Sequence, residues 1–429
     1  NRPCLYSWLR PSLYSWNFNI RLTMLLPLIK KTFIYKKAIK AVRQRLCGPT
    51  KDLEHTLLQY AKGVQAAQKL SFESLKISVL SFLEERKIGP DPWDYGFSSA
   101  SPYSSLYSST YAVMLRSMFL GPSGGYNTAE LNKLKEYFLH FQHPDTGYFV
   151  DPTLENGEYI STDNENNLWW GYGHLTIHVL QCLKILNVLP EYDFKFLDRM
   201  YISGGLKEYF RTLDFGDRIA YTGNKLMNLG VTLQYDAYIN QSKRSLSACN
   251  ELLQLLRDSA DCDGLWGDVN HSAHMKSQII QGAYHWWVLF FYAKQAPPFS
   301  ENLIDYILST QNSLGGYGVT PHASSACEDI DSIEPLSRFY PFLSDEYKKK
   351  IEKSFTAALP WLLANQNEDG GFCFALNQEL HYGHDHLFAG PNESAMFPTW
   401  FRTLTLAHLM KTMNFDNKFY FCGAPGFMF

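Results

Sequence analysis

Paired cysteines are missing from this chain. Its eight cysteines, at positions 4, 47, 182, 249, 262, 327, 373 and 422, include no CxxC spacing, so neither a ribbon-type zinc site nor a redox dithiol is encoded. Their scatter through apolar stretches, as with Cys182 in HVLQCLKIL, implies reduced, buried thiols in an intracellular protein. Long apolar runs are also missing: the longest is about nine residues around WWVLFFYA near 286–293, where a membrane helix needs roughly 20. No transmembrane helix is expected. Charged residues make up only 19% of the 429 positions, and acids are absent from residues 1–51, which hold eleven Lys or Arg. The rest carries 28 basic against 42 acidic residues, which argues against nucleic acid as a partner. No Walker loop, dinucleotide fingerprint or nucleophile elbow occurs, which sets aside those enzyme classes.

What is present is apolar mass. With 45% hydrophobic and 15% aromatic residues, the chain can bury a large core. The acid-free leader, MLLPLIKKTFIYKKAIKAVRQRL at 24–46, reads three ways: a transit peptide, a helix making peripheral contact with an anionic membrane, or a docked or loose extension. The sequence therefore divides into a basic extension, 1–51, and one domain, 52–429.

A turn signal recurs along that domain, Gly followed by an aromatic: DYGFS (Gly96), DTGYF (Gly147), SGGLKEYF (Gly204), DGLWG (Gly264), LGGYG (Gly315) and DGGFC (Gly370). The steps are 51, 57, 60, 51 and 55 residues, each with room for two helices. Residues 168–187, 277–295 and 397–413 are apolar nearly all round, as for inner helices. Residues 129–142 and 344–366 are amphipathic, as for an outer layer. Six such units predict an all-α protein, an (α/α)6 toroid of about six helical hairpins, with an open solenoid as the competing arrangement.

The segments FQHPDTGYF (141–149), STQNSLGGYG (309–318) and ANQNEDGGF (364–372) share a Gln, a short spacer, Gly and an aromatic. This resembles the repeat of squalene-type terpenoid cyclases and protein prenyltransferase β subunits, over roughly residues 90–425. The resemblance implies that the Gln ties a helix end to the turn while the aromatic packs on it. The family's usual Trp survives only at Trp266; Tyr317 and Phe372 replace it elsewhere.

Thirteen residues beyond GGYG stands SSACEDIDSIEPL (324–336), with four carboxylates in seven positions. Its DIDS resembles the class II cyclase motif, Asp-x-Asp-Asp or Asp-x-Asp-Thr. Carried over, Asp331 is the acid that protonates an alkene or epoxide, Asp329 its partner, and Ser332 fills the last position, where one carboxylate is lost. Because proline suits only a first helical turn, Pro335 predicts a helix starting at Asp331 or Ser332, with both aspartates at an inner-helix N-terminus. Repulsion from Asp329 and Glu328 then raises the Asp331 pKa, and the helix dipole favours the carboxylate left after proton transfer. Trp169, Trp170, Tyr172, Tyr284, Trp286, Phe397 and Trp400 are the expected substrate-binding aromatics, each ring face worth about 0.5–2 kcal/mol to a carbocation. A plain capping box formed by Asp331 and Glu334 is the structural alternative.

LHYGHDHLFAGPNESAMFPTWF (380–401) gathers His381, His384, Asp385, His386 and Glu393. Its histidines either orient Asp331, bind metal, or form a solvated loop. The prenyltransferase zinc pattern, Asp-x-Cys at this helix start, is broken because Asp331 stands where Cys is needed, and no metal site is assigned. His174 and His178 read as pocket or core histidines.

Three functions remain open. The first is proton-initiated cyclisation of a linear isoprenoid or its diphosphate, needing no cofactor for the acid step and Mg2+ only for a diphosphate. The second is a carbohydrate-active (α/α)6 enzyme with Asp331 and Glu393 as acid and base, His384 assisting. The third is a lipid-binding or subunit-like toroid without catalysis. Most class II cyclases close their site between two helical domains, so here the leader, loops or a partner subunit must cover the cavity.

Overall fold

The structure is a computed structural model and describes residues 51–154, 170–267, 272–415 and 418–429. Residues 1–50 of the basic extension, including 24–46, and Trp169 lie outside them. The chain divides into two units, 1–59 and 60–429, and helix α1, Lys51–Ala67, begins in the first and ends in the second. Everything below concerns the second unit.

That unit is all-α. After α1 come α2 Phe72–Arg86, α3 Leu106–Leu120, α4 Thr128–His140, α5 Trp170–Ile185, the short α6 Asp198–Tyr201 and α7 Gly205–Arg211, then α8 Ile219–Tyr238 and α9 Lys243–Ser259. They are followed by α10 Ala273–Tyr292, α11 Asn302–Leu308, α12 Ala326–Phe339, α13 Asp345–Ala364 and α14 Met396–Thr412. The only strands among the described residues are Leu380–His381 and Phe388–Ala389, paired antiparallel in one small hairpin. No described helix is long and apolar enough to cross a membrane.

Two kinds of helix alternate along the chain. In α3, 13 of 15 residues are buried, and in α14, 16 of 17; a helix covered on every face needs neighbours all round. In α4 only Leu134 and Phe138 are buried, and in α9 the buried set (Ser245, Ala248, Cys249, Leu252, Leu253, Leu256) follows the three-and-four spacing of a single stripe. The buried helices pack in sequence: α3 on α5, α5 on α8, α8 on α10, α10 on α12, α12 on α14, and α14 back on α3. The amphipathic helices lie against them, α2 on α3, α4 on α5, α9 on α8 and α10, and α13 on α12 and α14.

The Gln-Gly-aromatic turns have a common geometry. Gln142, Gln311 and Gln366 each donate through Nε2 to the carbonyl of the turn glycine, Gly147, Gly315 and Gly370, at 3.3, 2.9 and 3.0 Å. Each Gln also bridges backbone to backbone with the turn aromatic, Phe149, Tyr317 and Phe372. The aromatic N–H donates inward, to Thr176 Oγ1, Asp329 Oδ1 and Thr399 Oγ1 respectively. The glycines of these turns, and Gly264, have φ of 83–96°, and a Cβ there would meet a backbone carbonyl of the next segment: Asp193, Pro298, Ala357 and, for Gly370, Ser78 at 2.0 Å. Only glycine fits such a position. Gly96 and Gly204 are different. Gly96 lacks a positive φ, and Gly204 (φ 79°) has open space around it and separates α6 from α7. The six sequence signals thus comprise four equivalent turns and two dissimilar glycines.

A candidate acid site on helix α12

Helix α12 begins at Ala326, not at Asp331 or Ser332. Ser325 is its N-cap, and a capping box closes between Ser325 and Glu328: the Ser325 hydroxyl accepts the Glu328 N–H at 3.2 Å and Glu328 Oε2 accepts the Ser325 N–H at 2.8 Å. Asp331 and Glu334 are therefore not the capping pair. Pro335 is the tenth helical residue. It has no N–H for the Asp331 carbonyl, a local cost outweighed because Asp329–Leu336 is buried throughout between α10 and α14.

The early start separates the two aspartates. Residues two apart on a helix point about 200° apart, and here they do different jobs. Asp329 accepts from the Tyr317 N–H (2.9 Å), Ser324 Oγ (2.8 Å), Trp361 Nε1 (3.2 Å) and Arg402 Nη1 (2.7 Å). Arg402 is itself fully buried and donates onward to the carbonyls of Cys373 and Phe374. Burial pushes the Asp329 carboxyl up, while Arg402 and these donors pull it back. Asp329 thus holds the turn in the place of Thr176 and Thr399, and the expectation of an acid pair facing one cavity is corrected: Asp329 is a structural anchor.

Asp331 is only 2% exposed and has no hydrogen bond or ion pair among the described residues. Burial, then the charges of Glu328, Glu334 and Asp329, push its pKa well above the ordinary carboxyl range. It shares a helical stripe with Cys327, Glu334 and Arg338. Glu334 accepts from Tyr284 Oη of α10 at 2.9 Å and from Arg338 Nη2 at 3.1 Å, with His408 Nε2 of α14 at 3.6 Å. Burial raises Glu334; Arg338 and Tyr284 oppose that rise. Arg338 continues to the Phe429 carbonyl (3.0 Å) and lies over the Phe429 ring at 4.0 Å. The stripe is a gradient: a partnerless acid, a half-neutralised acid, then a paired cation.

Glu328 and Ser332 lie on the flank of that stripe. With Ser277, Gln281, Thr310 and Tyr317 they line a small cleft between α10 and α12, and Glu328 Oε1 accepts from Ser277 Oγ at 3.1 Å. Burial raises the Glu328 carboxyl, opposed by its bonds to Ser325. The structure does not bring Glu393 into this group as a free base: its two oxygens accept the N–H groups of Ala100 (2.7 Å) and Gly390 (2.6 Å), tying two loops. His384 accepts the His386 N–H at 3.0 Å within the hairpin loop, and its pKa is lowered by burial and by His386. No group of three or more His, Cys, Asp or Glu able to hold a metal occurs among the described residues.

The expected aromatics separate likewise. Trp169 and the Trp170 side chain lie outside the described residues. Tyr172 is half-buried near Tyr148. Tyr284 serves Glu334. Trp286 turns instead toward Trp266 and Phe215, at 4.9 and 5.4 Å, and so belongs to the packing of the DGLWG turn. Phe397 and Trp400 enter a larger cluster: Phe397 stacks on Tyr382 at 4.4 Å, and Trp400 meets Tyr111, His178 and Phe427 at 5.2–5.4 Å. His178 donates Nδ1 to the His174 carbonyl at 2.7 Å, while its Nε2 and Trp400 Nε1 are buried without partners among the described residues. Burial lowers His178 to about 4, so the ring is neutral. Sequence reasoning missed Tyr107, Tyr111, Tyr382, Arg402 and Phe427; the i, i+4 pairs Tyr107/Tyr111 and His174/His178 were the available signal. Compared with known proteins, the chain matches no protein-family model and no curated sequence.

Proposed function

We propose that the chain is a terpenoid cyclase-like enzyme on an (α/α)6 toroid, with α3, α5, α8, α10, α12 and α14 as the inner wall and Asp331 as the acid that starts cyclisation of an isoprenoid. The unbroken succession of buried helices, returning from α14 to α3, supports the toroid. The observation that carries the chemistry is Asp331 itself, buried, partnerless among the described residues and surrounded by carboxylates. A carboxyl so placed keeps its proton above the pH at which an ordinary aspartate loses it.

In the step this reading implies, the Asp331 O–H bond breaks as the π electrons of a terminal alkene form a new C–H bond. The tertiary cation left behind is attacked by the next double bond, closing a ring, and loss of a proton ends the sequence. For an epoxide, the same proton goes to oxygen and the C–O bond opens. Ring faces such as Tyr111, Phe397 and Trp400 would offset the positive charge by about 0.5–2 kcal/mol each, and exclusion of water protects the cation. Asp331 stands in the second turn of α12, so the helix dipole contributes less to its conjugate base than an N-terminal position would give. The carbohydrate alternative needs Glu393 free to act with Asp331, and both Glu393 oxygens are engaged elsewhere.

Purified protein incubated with linear isoprenoids, their epoxides and their diphosphates, with and without Mg2+, should yield a cyclic product by mass spectrometry. Asp331→Asn should abolish it. No cyclic product from any substrate, or equal product from wild type and Asp331→Asn, would end the proposal and leave a lipid-binding role.

A further inference from the structure

A row of polar side chains runs down α10, a helix otherwise apolar on every face. Ser277, Gln281 and His285 fall at four-residue intervals, so they share one side of the helix, while every other residue from Ile279 to Phe290 is buried. Asn224 and Asn228 repeat that spacing on α8. They meet the α10 row because two glycines bring the backbones together: a Cβ at Gly223 would stand 2.7 Å from the Gly282 Cα. The row is joined by hydrogen bonds throughout. Asn228 Nδ2 donates to Asn224 Oδ1 at 3.3 Å, Asn224 Nδ2 to His285 Nε2 at 3.2 Å, and His285 Nδ1 to the Gln281 carbonyl. From the Gln281 amide it continues through Ser277 Oγ to Glu328 Oε1 of α12, each step 3.1 Å.

Two observations distinguish this row from bonds that merely join helices. Gln281 and His285 keep accessible surface in the middle of a buried helix, as side chains do where they border a hollow. That surface faces inward: after burial and His178, His285 is what depresses His174 of α5, and α8 stands between α5 and α10 in the succession of buried helices. The row also ends on an unmet acceptor. Asn228 is 4% exposed, and its Oδ1 has no hydrogen-bond partner among the described residues, a costly arrangement unless a ligand brings a donor. Burial lowers His285 to about 4, so its ring is neutral, and no Lys or Arg belongs to the row. The adjacent Lys225 lies over the Tyr209 ring of α7 at 5.8 Å. A hydroxyl supplies the donor that Asn228 Oδ1 needs; an ionised diphosphate has only acceptors and carries charge into a neutral lining.

We infer that Asn228 closes a subsite for a neutral hydroxyl group and that the substrate is an isoprenoid alcohol, not its diphosphate. The inference rests on the isoprenoid reading and narrows it to one class of head group. The ligand O–H donates to Asn228 Oδ1, at one end of the polar row. Glu328, at the other end, is three residues before Asp331 on α12, so the row leads from the hydroxyl to the helix that carries the acid.

Three compounds with one carbon chain of three isoprene units are compared: the alcohol, the hydrocarbon and the diphosphate, the last with and without Mg2+. Binding to wild type, Asn228→Leu and Asn228→Ala is measured by thermal shift and by quenching of tryptophan fluorescence. Wild type should prefer the alcohol to the hydrocarbon by about tenfold, and should bind the diphosphate more weakly than the alcohol. Asn228→Leu, close in volume, should erase the preference for the alcohol and still bind the hydrocarbon; Asn228→Ala makes the same test should the leucine variant fail to fold. Equal binding of alcohol and hydrocarbon by wild type, or tighter binding of the diphosphate, overturns the inference and leaves the cyclase reading intact. So does an alcohol preference that survives in a folded variant, which would mean that Asn228 holds water only. No binding of any of the three overturns both.

Discussion

Replacing Asp331 by Asn should change how stability depends on pH, a test that needs no substrate. An ordinary aspartate ionises near pH 4, and that value applies to the unfolded chain. In the folded chain, burial and the surrounding carboxylates hold Asp331 protonated well above it. Between the two values the folded state carries one more proton than the unfolded one, so the stability this group contributes is fully present below the unfolded pKa. It is lost as pH rises toward the folded pKa, at about 1.4 kcal/mol per pH unit. Asparagine keeps the shape and cannot ionise. The advantage of Asp331→Asn over wild type should therefore grow between pH 5 and pH 7, by up to about 1.4 kcal/mol per pH unit. Urea unfolding at half-unit intervals, followed by circular dichroism, reads this directly. Parallel stability curves for the two proteins over that range would mean that Asp331 ionises normally, and with it would go the argument for a poised acid.

The remaining expectations concern the frame around the acid. Arg402→Met leaves Asp329 buried without its cation and should cost about 3–5 kcal/mol in urea unfolding, with much of that recovered by adding Asp329→Asn; equal stability of single and double variants would show that the pair is not coupled. Gly370→Ala places a Cβ against the Ser78 carbonyl at positive φ and should cost well over the roughly 1 kcal/mol expected of Gly204→Ala, which has the same backbone sign and open space. Similar losses at the two positions would remove the steric argument.

Much of the helical layout was legible because apolar periodicity is a property of contiguous sequence. The stretches 168–187, 277–295 and 397–413 became Trp170–Ile185, Ala273–Tyr292 and Met396–Thr412, and the Gln turns closed as the recurring residues required. The site was less legible. Pro335 misled, because its local preference for a first turn was outweighed by burial on every side, and the resulting shift of α12 by five residues turned Asp329 away from Asp331. Arg402 lies 73 positions from its partner Asp329, and a lone Arg in an apolar helix carries no mark of the acid it serves. Trp286 was misassigned for a similar reason: an all-round apolar helix gives no phase from which to tell one face from another.

The contact of Gly370 with Ser78 joins the last of the four like turns to the first of the amphipathic helices. A linear array of hairpins ends in two units with one bare side each, which must be made polar, and it tolerates gain or loss of a unit. In the toroid proposed above the first and last hairpins would shield each other, so removing any single hairpin would strip two others at once. Unfolding should accordingly be a single event for the whole assembly, and variation in length should be confined to the connecting loops.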